Sequence, residues 1–257
     1  MIAERGAFPV VLGLEARKLA RAMVTRMATL AGLVLVTVAT AGGYAAAMHA
    51  GDTDLGKKAA SMVTSPGWDG YTALGATSVS ATTLLAVGVV MSWSVGREFT
   101  DGTMVGLFAV PPTLRSIAAA KMTATLSWAA LLGVGEAAML TTAGLMLGLG
   151  PAGAAGCFAV LALIAILLSA SVLPVMWAAT WWRSYLAGIG LTLVILVVTN
   201  LAAGFGLGSY VPWSIPIVWA SHQTEVSTPL LATPVMTAAI GAWVTLRSWD
   251  RLQLGTD

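Results

Sequence analysis

Charge is the scarcest commodity in this chain: Asp, Glu, Lys and Arg together make up 9% of 257 residues, against about 25% in an ordinary soluble domain. Cysteine is scarcer still. The single Cys157 sits in an apolar run, which excludes an intrachain disulfide and any Cys-based metal site and leaves a small buried thiol. Two histidines, His49 and His222, fall in connections between apolar segments, too isolated to complete a metal centre. No nucleophile stands beside a base, so no catalytic residue and no metal site is expected. A net charge of +2 is too small and too dispersed to argue for nucleic acid.

Apolar residues are what the chain has, at 58% of the total with a mean hydropathy of +0.86. A bilayer crossing needs about 20 mostly apolar residues, and six windows supply them: 27–47, 73–95, 122–149, 156–180, 185–207 and 226–246. The expected fold is one all-α polytopic membrane domain spanning residues 1–257. Five further windows follow the first, so residues 27–47 are expected to be a retained helix and not a cleaved leader. Eleven of the 13 Lys and Arg lie on one side of this topology, with Lys57 and Lys58 on the other. The positive-inside bias then puts both termini and the 97–121 connection in the cytoplasm. Trp93, Trp181, Trp182, Trp243 and Trp249 are predicted to anchor that same interface.

Before the first window, residues 10–26 read as an amphipathic interfacial helix. Leu12, Ala16, Leu19 and Met23 recur at helical spacing, and Arg17, Lys18 and Arg21 lie off that stripe, free to meet anionic membrane lipid. Gly6 and Pro9 are expected to punctuate its start. Glycines such as Gly42, Gly133, Gly144 and Gly204 suit close helix packing. The run from Gly51 to Lys58 fits G-x-x-x-x-G-K, but Lys58 stands where Ser or Thr would hold magnesium and no strand precedes it, so it reads as coincidence.

The 97–121 connection carries charge and helix breakers between two apolar runs. Thr100 or Asp101 is placed to cap a short helix that presents Met104, Leu107 and Phe108 on one side. Pro111 and Pro112 end it, with Arg115 and Lys121 at the membrane surface. Glu98-Phe99, Gly102-Thr103, an apolar octet, Pro111-Pro112, Arg115 and Lys121 together resemble the E-x-x-x-G-T…P-x-x-R…K pattern of ABC-2 type permeases, the membrane subunits of type V ABC exporters. The double proline departs from that family's usual single one. The resemblance implies that Glu98, Phe99, Asp101, Gly102, Thr103, Met104, Leu107, Phe108, Pro111 and Arg115 form a coupling segment over 97–112 that docks on an ATPase. It further implies a bacterial inner-membrane location, two cytosolic ABC ATPase subunits holding the ATP and magnesium, a second permease subunit of the same or a related chain, and an amphipathic cargo such as a drug, an antibiotic peptide or a lipid-like molecule. No cofactor is expected on this chain itself.

Two further features bear on transport. Residues 208–225 are too short and broken to span yet too apolar for a solvated loop, which predicts re-entry into the outer leaflet. By the same resemblance Pro212, Trp213, Pro216 and Trp219 would form an outer gate. Within the spans, Glu136 is the one well-embedded carboxylate. Such a group marks a pathway by default, or is held protonated against a neighbouring helix. Thr77, Ser80, Thr83 and Asn200 are candidate companions along a translocation route. Two other readings stay open: an ion-gradient transporter with Glu136 as proton carrier, and a membrane subunit that assembles others without transport.

Overall fold

The computed structural model describes residues 2–49, 53–63, 65–221 and 227–253, with backbone alone for 2–7 and 55. Gly51, Asp52, His222 and the predicted start of the sixth window at Val226 lie outside the described residues. Helices α1 (Ile2–Arg21), α2 (Met23–Thr37) and α3 (Gly43–His49) come first, α2 and α3 being joined by wide π turns over Val38–Gly42. They are followed by α4 (Asp54–Met62), α5 (Gly67–Thr100), α6 (Met104–Phe108), α7 (Leu114–Met146), α8 (Ala154–Ser171), α9 (Pro174–Trp181), α10 (Tyr185–Gly204), α11 (Ile215–Ala220) and α12 (Ala232–Asp250). Six helical stretches are long and apolar enough to cross a membrane: Met23–His49, Gly67–Thr100, Leu114–Met146, Ala154–Trp181, Tyr185–Gly204 and Thr228–Asp250. Leu30, Val34, Leu131, Leu193, Val197 and Ile240 are exposed along them, a belt of large apolar side chains that suits lipid and not water. The chain is a polytopic helical membrane protein.

Several boundaries differ from the hydropathy windows. The third span starts at Leu114, where Thr113 caps it by accepting the Ser116 N–H at 3.2 Å, so Arg115 and Lys121 are helical and not loop residues. Helix α1 begins before Pro9 and runs through it, forfeiting one backbone hydrogen bond. Its buried face is Val11, Glu15 and Leu19, while Ala16 is exposed, as is Met23, which begins α2. Residues 54–58 of the phosphate-loop-like run open helix α4, whose N-cap, Thr53, accepts the Gly56 N–H.

The second span is the axis of the bundle, packed against the first, third, fourth and fifth. Its contact with the fifth depends on glycine. A Cβ on Gly88 would meet the Thr192 side chain at 2.3 Å, and one on Gly96 would meet the Tyr185 backbone at 2.2 Å. Of the glycines the sequence suggested, Gly133 and Gly144 do meet neighbours, but Gly42 and Gly204 face open space. The fourth span breaks between α8 and α9 because Pro174 has no N–H to continue the ladder. There the Val175 N–H turns back to Val172, and the Ser171 carbonyl accepts the Trp213 indole N–H at 3.1 Å instead.

At the opposite end from α6, Tyr71 donates to the Leu140 carbonyl at 2.7 Å and Trp68 to that of Gly150 at 3.0 Å. Tyr71 meets Tyr44 and Trp68 edge-on, which ties the first three spans together. Trp249 corrects the interfacial reading: it is fully buried and donates to Thr180 at 3.0 Å, since an indole N–H inside a bundle needs a partner. Trp181, Trp182 and Trp243 remain exposed.

The Gly96 contact is with backbone, so a side chain there must push the second and fifth spans apart. Gly96→Val is expected to destabilise the bundle by roughly 1–3 kcal/mol, as overpacking does, measured as a lowered midpoint of thermal aggregation in detergent. Gly204→Val, in open space, is expected to leave it unchanged.

Candidate functional site

Beneath α6 three ionised side chains meet away from solvent. Lys121 of α7, 3% exposed, donates to Glu15 of α1 at 2.8 Å and to Glu98 of α5 at 2.7 Å. Lys18 closes on the other oxygen of Glu15 at 2.8 Å, and Thr103 donates to the other oxygen of Glu98. All four carboxylate oxygens are thereby engaged. That saturation permits the burial, because an ion taken out of water at a cost of several kcal/mol must recover it from close, well-oriented partners. A cavity of about 290 Å³ opens beside the cluster, walled in part by Leu19, Trp93, Arg97, Leu107 and Ala124.

The sequence placed Lys121 at the membrane surface and took no account of Glu15. Two signals were there. Glu15 lies four residues after Val11 and four before Leu19, a carboxylate on an otherwise apolar stripe. Lys121 follows Ile117 at the same spacing.

The connection between α5 and α7 is short and tightly specified. Gly102 ends α5 with a φ of +68°, a left-handed conformation that glycine adopts without penalty. Thr100 belongs to α5 and Asp101 is its C-cap, so neither caps α6. The N-cap of α6 is Thr103, which makes no cap hydrogen bond because its hydroxyl is turned to Glu98. That pull carries Met104 into the core at 9% exposure, while Leu107 and Phe99 are half-buried and Val105, Phe108 and Val110 are exposed. The outward apolar face is therefore Val105 with Phe108 and Val110, and not Met104. Pro111 is exposed beyond them. Arg97 lies 4.6 Å over the Trp93 ring, and Arg115 pairs with Asp250 at the end of the sixth span at 2.9 Å.

The candidate pathway residues separate. Glu136 is fully buried and accepts from Thr83 at 2.9 Å. Ser80 is buried but donates to the Thr77 carbonyl. Thr77 and Asn200 are exposed, their side chains bonded to carbonyls of their own helices. In the outer segment Pro216 is buried and Pro212, Trp213 and Trp219 are half-buried, with α11 packed on α5 and α8. Among the described residues no group of His, Cys, Asp and Glu could hold a metal ion.

Removing the ammonium strands two buried carboxylates, so Lys121→Met is expected to cost about 3–5 kcal/mol, seen as loss of monodisperse protein on size-exclusion chromatography. Combining it with Glu15→Gln and Glu98→Gln removes the stranded charge and is expected to restore the elution peak.

These features sit within a recognisable sequence family. Residues 11–199 match the ABC-2 family transporter protein family, a stretch that takes in the second half of α1, the ion cluster, α6, the first four spans and most of the fifth. No curated protein matches the chain. The chain belongs to the ABC-2 family and is a membrane component of an ABC transporter.

Proposed function

We propose that this chain is the permease subunit of an ATP-driven exporter that moves an amphipathic substrate across the bacterial inner membrane. The carrying observation is α6: a five-residue helix whose Val105 and Phe108 face outward while its N-cap, Thr103, is fastened through Glu98 to Lys121 and Glu15. An ABC ATPase, the partner that family membership implies, docks on that exposed face. ATP and magnesium reside on the ATPase. A push on α6 is delivered at one point to α1, the second span and the third, because all three share the buried ammonium.

Two ATPase subunits and a second permease, the same chain or a related one, complete the assembly, since a single six-span bundle supplies one wall of a route. Both termini face the cytoplasm, and Arg17 and Arg21, exposed on α1, meet anionic lipid there. The 212–219 segment, with Pro216 buried and Trp213 bonded to the broken fourth span, is the outer gate. Glu136 and Thr83 lie along the pathway between.

Affinity purification of the tagged chain from its own membrane tests this. The native chain is expected to retain an ABC ATPase, and Val105→Asp or Phe108→Asp to reduce the retained ATPase at least about tenfold with unchanged elution. A maleimide that cannot cross membranes is expected to label Val105→Cys only from the cytosolic side. ATPase retained at native level by both aspartate variants, or labelling from outside, would sink the proposal. Transport in vesicles without ATP but with a proton gradient, abolished by Glu136→Gln, would establish the ion-driven reading instead.

A further inference from the structure

Glu136 poses a problem that the helix bundle does not solve. Its Oε2 accepts from Thr83, yet its Oε1 is buried with no hydrogen-bond partner. No Lys or Arg occurs between residues 122 and 182 or between 27 and 56. Among the described residues no ion pair involves Glu136. This is the reverse of the Lys121 cluster, where every carboxylate oxygen is met.

The unpartnered oxygen points at Gly32 of the first span: a Cβ there would stand 3.1 Å from Oε1. Gly32 is in turn part of the wall of an apolar groove of about 580 Å³ between the first, second and fifth spans, along with Met27, Ala31, Thr82, Leu85 and Leu196. At Gly32 that wall is one backbone thick, with the carboxylate directly behind it. The groove itself contains no charged residue. A cation seated in front of that wall favours the ionised carboxylate behind it, and in a low dielectric the two attract one another while an anion is repelled.

We infer that this groove binds hydrophobic organic cations, the apolar body resting on Met27, Ala31, Leu85 and Leu196 and the positive charge drawn to Gly32 by Glu136. The inference rests on the permease reading above and narrows its amphipathic cargo to a charge class. Gly32 matters to it twice. Its missing side chain brings the ligand close to the carboxylate, and it leaves Oε1 free.

The test is equilibrium binding to the purified full-length chain in lipid nanodiscs, with empty nanodiscs subtracted. Methyltriphenylphosphonium is the cation, and triphenylphosphine oxide, similar in shape and uncharged, is the control. The unmodified chain is expected to bind the cation at least about tenfold more tightly than the neutral compound, and Glu136→Gln, which keeps an acceptor for Thr83, to bring the two affinities together. Should Glu136→Gln fail to elute as folded protein, the comparison on the unmodified chain still decides. Equal binding of both compounds overturns the inference, as does a cation preference that persists in folded Glu136→Gln. Binding of neither compound, with Leu85→Cys forming disulfide-linked dimers, gives the groove to a second copy of the chain and also overturns it. ATPase co-purification is independent of these outcomes, so the permease reading and the cation site can fail separately.

Discussion

A single buried ammonium organises the end of this protein on which ATPase coupling is proposed. Lys121 receives one carboxylate from α1 and one from the second span while itself belonging to the third. Each of these groups alone would be expelled from a low-dielectric interior; together they form a neutralised knot that none can leave cheaply. Because the penalty for breaking it falls on all three helices, the knot makes them move as one. Thr103 extends the linkage into the connection that carries α6, so the short helix is not a loosely tethered loop but the exposed tip of a rigid assembly.

The spans themselves are held by different means, as expected where lipid removes the hydrophobic incentive for helices to associate. Gly88 seats the Thr192 side chain and Gly96 lets the second span approach the fifth to backbone distance. Tyr71, Trp68, Trp128 and Trp249 each reach across to oxygens on other elements, and such bonds gain from the absence of competing water. Pro174 contributes by breaking the helical ladder, so that the Val175 N–H turns to Val172. The carbonyl freed at Ser171 anchors Trp213, so a defect in one helix becomes the fixing point for the irregular segment that precedes the last span.

Against this background the two buried acid sites are opposites. Glu15 and Glu98 are satisfied inside the chain, and that suits a structural relay. Glu136 has one oxygen bonded to Thr83 and one facing Gly32 without a partner, and that suits recognition of something the chain does not itself supply. The contrast separates carboxylates that hold helices together from one for which a ligand is proposed.

Much was legible before any fold was known. The order of Glu98, Gly102-Thr103, the prolines and Lys121 carried the resemblance to the ABC-2 family, while scarcity of charge and six apolar windows were enough to identify a polytopic helical bundle, since bilayer thickness and backbone hydrogen bonding leave helices as the solution for such windows. Glu136 stood out for the same reason. What the sequence by itself determined was therefore composition-driven: which segments are helical, which enter lipid, and where polar residues are costly. Tertiary structure alone decided partnership. That Glu15 meets Lys121, that Met104 turns inward while Val105 and Phe108 turn out, that Trp249 is buried and Arg115 pairs with Asp250, and that Gly32 lies over Glu136 all depend on the rotation of each helix about its axis. Hydropathy is nearly uniform around a span and does not encode that rotation; it is settled by which small residues allow close approach and which buried polar atoms can be satisfied together.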